Sequence, residues 1–139
     1  MRCLAALVLG LAAPMAAQAA DVRVELSGLR AGGTLYVQLQ NRSQFMGAER
    51  VAGQRLAAPQ AGTLSVDLGD VPPGEYALSV WHDDNGNDRF DVDPANGHVL
   101  DGIAAVNAEN LHSPPTFDQI KVAVPAAGIT VPLTLRYGR

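Results

Sequence analysis

The chain has 139 residues, of which 47% are apolar, 17% charged and 5% aromatic, a size that suits one domain and not two. That apolar fraction argues against a long structureless chain, and 14 acidic against 10 basic side chains, net −4, leave no basic footprint for a nucleic acid. The single cysteine, Cys3, excludes an internal disulfide framework, while 14 glycines and 9 prolines suit a turn-rich β domain better than a helical bundle.

Residues 1–19 read as a signal peptide. Arg2 is the positive start, Leu4 to Ala13 the uncharged apolar stretch, and Ala17-Gln18-Ala19 the small-residue cleavage site, so cleavage follows Ala19 or Ala20. The apolar stretch is shorter than the ~20 residues a bilayer requires. Cys3 precedes it, so it is misplaced for a lipid anchor, and cleavage removes it. The expected product is a periplasmic or extracellular protein, residues 21–139, with no membrane anchor and no thiol. Losing Arg2 leaves it 9 basic and 14 acidic side chains, net −5.

The remainder reads as strands in chain order. Val22, Val24 and Leu26 alternate with polar residues, as do Leu35, Val37 and Leu39, and this period of two marks half-buried strands. Arg42 to Gln60 reads as loop with one or two turns of helix, because Phe45, Ala48, Ala52 and Leu56 sit at helical spacing while Gly47, Gly53 and Pro59 interrupt it. Leu64, Val66 and Leu68 predict a third strand. After the Val71-Pro72-Pro73-Gly74 turn, Tyr76, Leu78 and Val80 predict a fourth, with bulk on both faces and hence central. Val99 to Ile103 predicts a short strand, Ile120 to Val124 another, and Ile129 to Leu135 the last, ending near Tyr137. About seven short strands separated by turn signals imply a single antiparallel β-sandwich.

One segment concentrates the chemistry. Trp81 to Asp93 holds Asp83, Asp84, Asp88, Asp91 and Asp93, five of the 14 acids, with Asp101 nearby. Asp83, Asn85, Asn87 and Asp91 occupy positions 1, 3, 5 and 9 of a calcium loop, the Arg89 carbonyl serves position 7, and Asp93 or Asp101 is left to supply a further carboxylate. The EF-hand pattern is broken: Gly86 is at position 4 instead of 6, Pro94 stands where a bidentate Glu belongs, and no helical pattern flanks the loop. With two neutral Asn ligands, Ca²⁺ binding is expected to be weak, in the roughly 10⁻⁴–10⁻³ M range of extracellular modules. An ion-free turn is the alternative, since Asn-Gly between apolar runs is a hairpin signal and Asn and Asp close turns without metal.

Other candidates are thinner. His82, His98 and His112 lack the spacing of a zinc or copper site, and His82 is expected to pack at a strand end. Trp81 with Tyr76 offers a sugar-stacking surface, though a lone Trp is more often core. No nucleophile elbow, metalloprotease helix, P-loop or dinucleotide fingerprint occurs.

The run Val71-Pro72-Pro73-Gly74-Glu75-Tyr76 leading through Trp81-His82-Asp83-Asp84-Asn85-Gly86-Asn87, with Pro114-Pro115-Thr116-Phe117 and Phe45, resembles the bacterial family of domain of unknown function 2141. The resemblance implies a secreted transthyretin-like or prealbumin-like sandwich and marks Asp83, Asn85, Asn87 and Asp91 as the motif. Gly102-Ile103-Ala104-Ala105 departs from the Gly-Ile-Pro-like stretch of relatives, and the family supplies no activity. The expectation is an exported, non-catalytic binding or structural module with a weak Ca²⁺ loop and a protein or glycan partner. A glycan-acting enzyme using loop carboxylates, or a small-ligand carrier, is the alternative.

Overall fold

The computed structural model describes residues 19–111 and 114–138, so the signal-peptide segment up to residue 18 and His112 lie outside the described residues. The strands are β1 (Ala20–Leu29), β2 (Thr34–Gln40), β3 (Ala52–Ala57), β4 (Gly62–Val71), β5 (Gly74–Asp83), β6 (Gly102–Ala104), β7 (Lys121–Val124) and β8 (Ile129–Thr134), with one helical turn, α1 (Phe117–Ile120), before β7. They form two sheets. The first has the order β4-β1-β8; in the second, β3-β2-β5 is continued by β6 and β7, which pair with successive halves of β5 along one edge. The expected central strand is therefore central.

Alternation places the core. In β1, Val22, Val24 and Leu26 are buried while Asp21, Arg23 and Glu25 are exposed. Their buried side chains meet Leu35, Val37, Leu39 and Leu78 from the other sheet. Each such fully buried aliphatic side chain contributes about 1.5–3 kcal/mol against exposure, which is what holds the sheets face to face.

Three elements differ from the sequence reading. Residues 52–57 form β3, an edge strand paired to β2 through Tyr36↔Arg55 and Leu39↔Ala52, where loop or helix was expected. The helical spacing of Phe45, Ala52 and Leu56 is coincidental: Phe45 belongs to a different cluster, edge-on to Phe117 at 5.8 Å. Ile120 ends α1 and does not open a strand. Thr116 caps α1, its side chain accepting from the Gln119 N–H while the Gln119 side chain accepts from the Thr116 N–H. Every strand pairing is antiparallel except β1 with β8, which is parallel over Val22↔Ile129 to Ser27↔Thr134.

The outer face of β5 is covered at one end. Ala77 packs beneath Phe117 and Ile120, with Phe45 alongside, so both faces of this strand are buried there. The lid is tied down by charge: Arg42 makes hydrogen bonds of 3.0 and 2.7 Å to Asp118 and lies over the Phe117 ring. Lys121 bridges Glu75 at 2.7 Å and Asp118 at 3.3 Å.

Two predictions follow from these contacts. Hydrogen bonds from Arg42 and then Lys121 hold the Asp118 carboxyl down at about 2. A depressed acid adds stability above its unfolded value near 3.9 and loses it as pH falls towards 2. Asp118→Asn should therefore lower the thermal midpoint at pH 5 and leave it near that of the parent at pH 2; an equal loss at both would contradict the assignment. The second concerns the free edge of β8. The Leu135 N–H donates to Ser27 and the Arg136 N–H to Ile103, so by alternation residue 132 faces away from β1. There Pro132 removes a donor from an exposed edge, a common guard against strand addition. Pro132→Thr should show concentration-dependent association in light scattering, and a variant that stays monomeric at all concentrations would refute that role.

Candidate functional site

β5 runs into the acidic segment at Asp83, which is fully buried (0% exposed). A buried carboxylate is tolerated only when its oxygens are hydrogen-bonded. Here Oδ1 accepts from the backbone N–H groups of Gly86 (2.9 Å) and Asn87 (3.2 Å), and Oδ2 from that of Asp88 (2.8 Å). Three consecutive amides thus curl around one side chain. Gly86 and Asp88 both take positive φ, +70° and +57°, to let them converge.

The rest of the segment is a chain of smaller turns. Asn85 Oδ1 accepts the Asn87 N–H at 3.1 Å, and Asn87 Oδ1 accepts the Arg89 N–H at 2.9 Å. Those bonds fix both amide orientations and turn the NH₂ groups towards Asp91. Asn85 Nδ2 donates to Asp91 at 2.8 Å, and Asn87 Nδ2 at 2.9 and 3.1 Å. Asp101, also 0% exposed, closes the segment: its Oδ2 accepts from Trp81 Nε1 (2.8 Å) and from the Asp91 N–H (3.0 Å).

Asp83, Asn85, Asn87 and Asp91 are therefore gathered into one hydrogen-bonded unit. Arg89 joins it by its backbone N–H. Asp93 does not: it accepts the Ala95 N–H and its backbone pairs with Gly97 and His98, forming a separate turn. Asp101 is the carboxylate that reaches Asp91. Among the described residues, no group of three or more His, Cys, Asp or Glu side chains is placed to hold a metal ion. A cation here would have to use the two Asn oxygens and main chain as well. A carboxylate offers about four lone-pair sites. Three on Asp83 are taken by N–H groups, so it has room for one further ligand bond. Each Asn oxygen accepts one N–H and likewise keeps one lone pair.

His82 lies beside this unit, fully buried, with both ring nitrogens occupied. Nε2 is 2.7 Å from the Gly32 carbonyl oxygen, which can only accept, so Nε2 carries the hydrogen. Nδ1 then accepts from the Tyr137 hydroxyl, also at 2.7 Å, and that hydroxyl accepts the Arg30 N–H at 3.1 Å. Burial raises the Tyr137 pKa, keeping the proton this arrangement requires. The Arg30 guanidinium stacks over Tyr137 and pairs with Asp84 at 3.0 Å. The strand-end expectation for His82 agrees with this position; His98 is exposed on its own turn. Tyr76 is in the core and Trp81 on the opposite face of β5, so these two do not form a common sugar platform.

Sequence reasoning named Asp101 as a further carboxylate for the loop but missed Gly33, Arg30 and Tyr137 as parts of the site. Gly33, at φ +65°, abuts the end of β5: a Cβ there would lie 1.9 Å from the Asp83 carbonyl oxygen. The one signal available in the sequence is the Gly32-Gly33 pair between the first two strands.

The Asp83 contacts generate a direct prediction. Asp83→Ala strips three loop amides of their buried acceptor and should cost about 3 kcal/mol, since hydrogen bonds to charged groups are worth ~1.5–3 each. Denaturant unfolding in chelator measures it. A loss below ~1 kcal/mol would mean that the carboxylate does not organise the segment.

A profile of the family described as "Uncharacterized protein conserved in bacteria (DUF2141)" matches residues 24–131. No curated protein and no solved structure matches the chain.

Proposed function

The chain belongs to that uncharacterised bacterial family, and from this premise we propose that it is an exported, non-catalytic β-sandwich module that binds a partner or serves a structural role, with a weak calcium site on the Asp83–Asp91 loop. The observation that carries the calcium reading is the unit built by Asp83: it preorders Asn85, Asn87 and Asp91 and leaves one lone pair on each of Asp83, Asn85 and Asn87. Ca²⁺ needs six to eight oxygens. The Arg89 carbonyl, Asp91 and water would supply the others, and a site so dependent on neutral oxygens and water holds its ion loosely.

Other observations support the remaining parts. Export to the periplasm or cell exterior rests on the leader signature of residues 1–19. Ala20 is 1% exposed and pairs with Val71, which favours cleavage after Ala19 over cleavage after Ala20. A non-catalytic role is supported by the state of the titratable groups. Asp83 is spent on backbone amides, Asp101 on Trp81 and the Asp91 amide, and His82 on a carbonyl and a hydroxyl, none of them presented to a substrate. The carrier alternative loses ground because Leu26, Leu35, Leu39 and Leu78 fill the space between the sheets.

Thermal unfolding with about 5 mM Ca²⁺ against chelator tests the site. For a Kd of about 1 mM, binding to the native state adds about 1 kcal/mol, which should raise the midpoint by about 3–5 °C for a domain of this size. Asp91→Asn should abolish that increment whatever it does to stability in chelator. No shift in the parent protein would overturn the calcium reading.

A further inference from the structure

The outer face of the second sheet carries a basic cleft far in sequence from the acidic loop. It depends on Gly53 of β3. A Cβ at Gly53 would lie 2.7 Å from Arg50 Cδ, 2.9 Å from Arg50 Nε and 2.8 Å from the Val37 carbonyl oxygen. The Arg50 side chain is thus folded across β3 in the space the missing side chain leaves. On the same face, Arg55 lays its guanidinium 5.6 Å from the Tyr36 ring centre, with Nε 3.4 Å from the hydroxyl. A cleft of about 140 Å³ is lined by Arg50, Arg55, Tyr36, Gln38 and Gln54.

Arg23, Arg30, Arg42 and Lys121 each pair with a carboxylate. Among the described residues Arg50, Arg55, Arg89 and Arg136 form no salt bridge; of these, Arg50 and Arg55 line one cleft, with Asp88 near enough to act on Arg55 by charge. Two guanidiniums brought to one cleft repel each other, and an anion between them relieves that repulsion. An aromatic row lies beside them. Tyr36 stacks on Trp81 at 4.7 Å, and Trp81 meets the exposed Phe90 edge-on at 6.0 Å. Stacking spends one face each of Tyr36 and Trp81 on the other, and the Arg55 guanidinium lies over the Tyr36 ring.

We propose that this cleft binds a carboxylated saccharide, with a uronate carboxylate held by the Arg50 and Arg55 forks and sugar hydroxyls addressed by the Gln38 amide and Tyr36 hydroxyl. Guanidinium forks match carboxylate geometry in two-point contacts. A densely charged polyanion is opposed by the net acidity of the molecule, whereas a saccharide with isolated carboxylates needs only this cleft. An acidic peptide gains less here, because β2 and β3 already spend their facing backbone groups on each other, and no main-chain pairing is offered on a sheet face. The proposal rests on the binding-module reading and uses none of the residues named for the calcium site.

Titration of the purified protein with a galacturonate oligosaccharide, followed by amide NMR shifts, tests it. Shifts at Tyr36, Gln38, Gly53 and Arg55 are expected with about millimolar affinity, weakened as salt is raised from ~0.01 M to ~1 M. Arg50→Gln with Arg55→Gln should weaken binding about tenfold or more. Should that pair unfold the protein, Arg50→Lys with Arg55→Lys retains charge, loses the forks, and should still weaken binding severalfold. No shifts with the uronate, equal binding of a neutral glucan oligosaccharide, equal binding of poly-glutamate, or unchanged affinity in the folded variants would each overturn the proposal. A calcium-dependent thermal shift that persists while uronate binding fails would locate the failure here and not in the loop.

Discussion

The Asp83 carboxylate is the constraint around which the acidic end of the molecule is arranged. It sits at the last position of the central strand, where the chain must leave the sheet while its side chain stays buried. Removing an ionised carboxylate from water is expensive unless its oxygens are satisfied. The segment that follows is shaped by that demand: three successive amides, from Gly86 to Asp88, bend back to it, and two residues adopt positive φ to make the bend. Asp101 repeats the device at the other end, tying the Trp81 indole and the Asp91 amide together just before β6 begins. The cluster of acids is thus partly an architecture of acceptors, with Asp83, Asp91, Asp93 and Asp101 matched to backbone or side-chain N–H donors.

This end of the sandwich is braced by its surroundings. Gly33 fits against the Asp83 carbonyl because it has no side chain. His82 clamps the Gly32 carbonyl on one side and Tyr137 on the other, so the β1–β2 turn, the end of β5 and the segment after β8 meet at one imidazole. Arg30 adds a cation over the Tyr137 ring and an ion pair to Asp84. These groups and the Asp83 and Asp101 hydrogen bonds hold the loop in a fixed arrangement without an ion. That is the condition under which weak oxygen ligands can still select a cation, since little ordering entropy is then lost on binding.

Most of the fold was legible because one face of each principal strand is buried. In β1, β2 and β4 the alternation of Val and Leu with polar residues translates directly into inward and outward positions, while bulk on both faces of β5 marks it as central. β3 was hidden because it is an edge strand whose residues, AGQRLA, are intermediate or exposed throughout, so no alternation is imposed on it. The helical spacing of Phe45 with Ala52 and Leu56 arose from two unrelated surroundings, the Phe117 cluster and the β3 pairing. The family motif picked out Asp83, Asn85, Asn87 and Asp91, and these four are the ones linked by hydrogen bonds. Burial of Asp83 and Asp101 was not legible, because an acid in a polar run carries no sign of which donors will converge on it. Asp93 looked equivalent to its neighbours in spacing, but Pro94 after it directs the chain into a turn of its own.

The loop is ordered by its own buried carboxylates, so the proposed calcium site is a unit that exists without the ion. Amide hydrogen exchange in the presence of chelator tests this most directly. The Gly86, Asn87, Asp88 and Asp91 amides donate to Asp83 and Asp101, so they should be protected without calcium and change little when it is added. Exchange at the rate of an unstructured chain in chelator, with protection appearing only in calcium, would contradict the account.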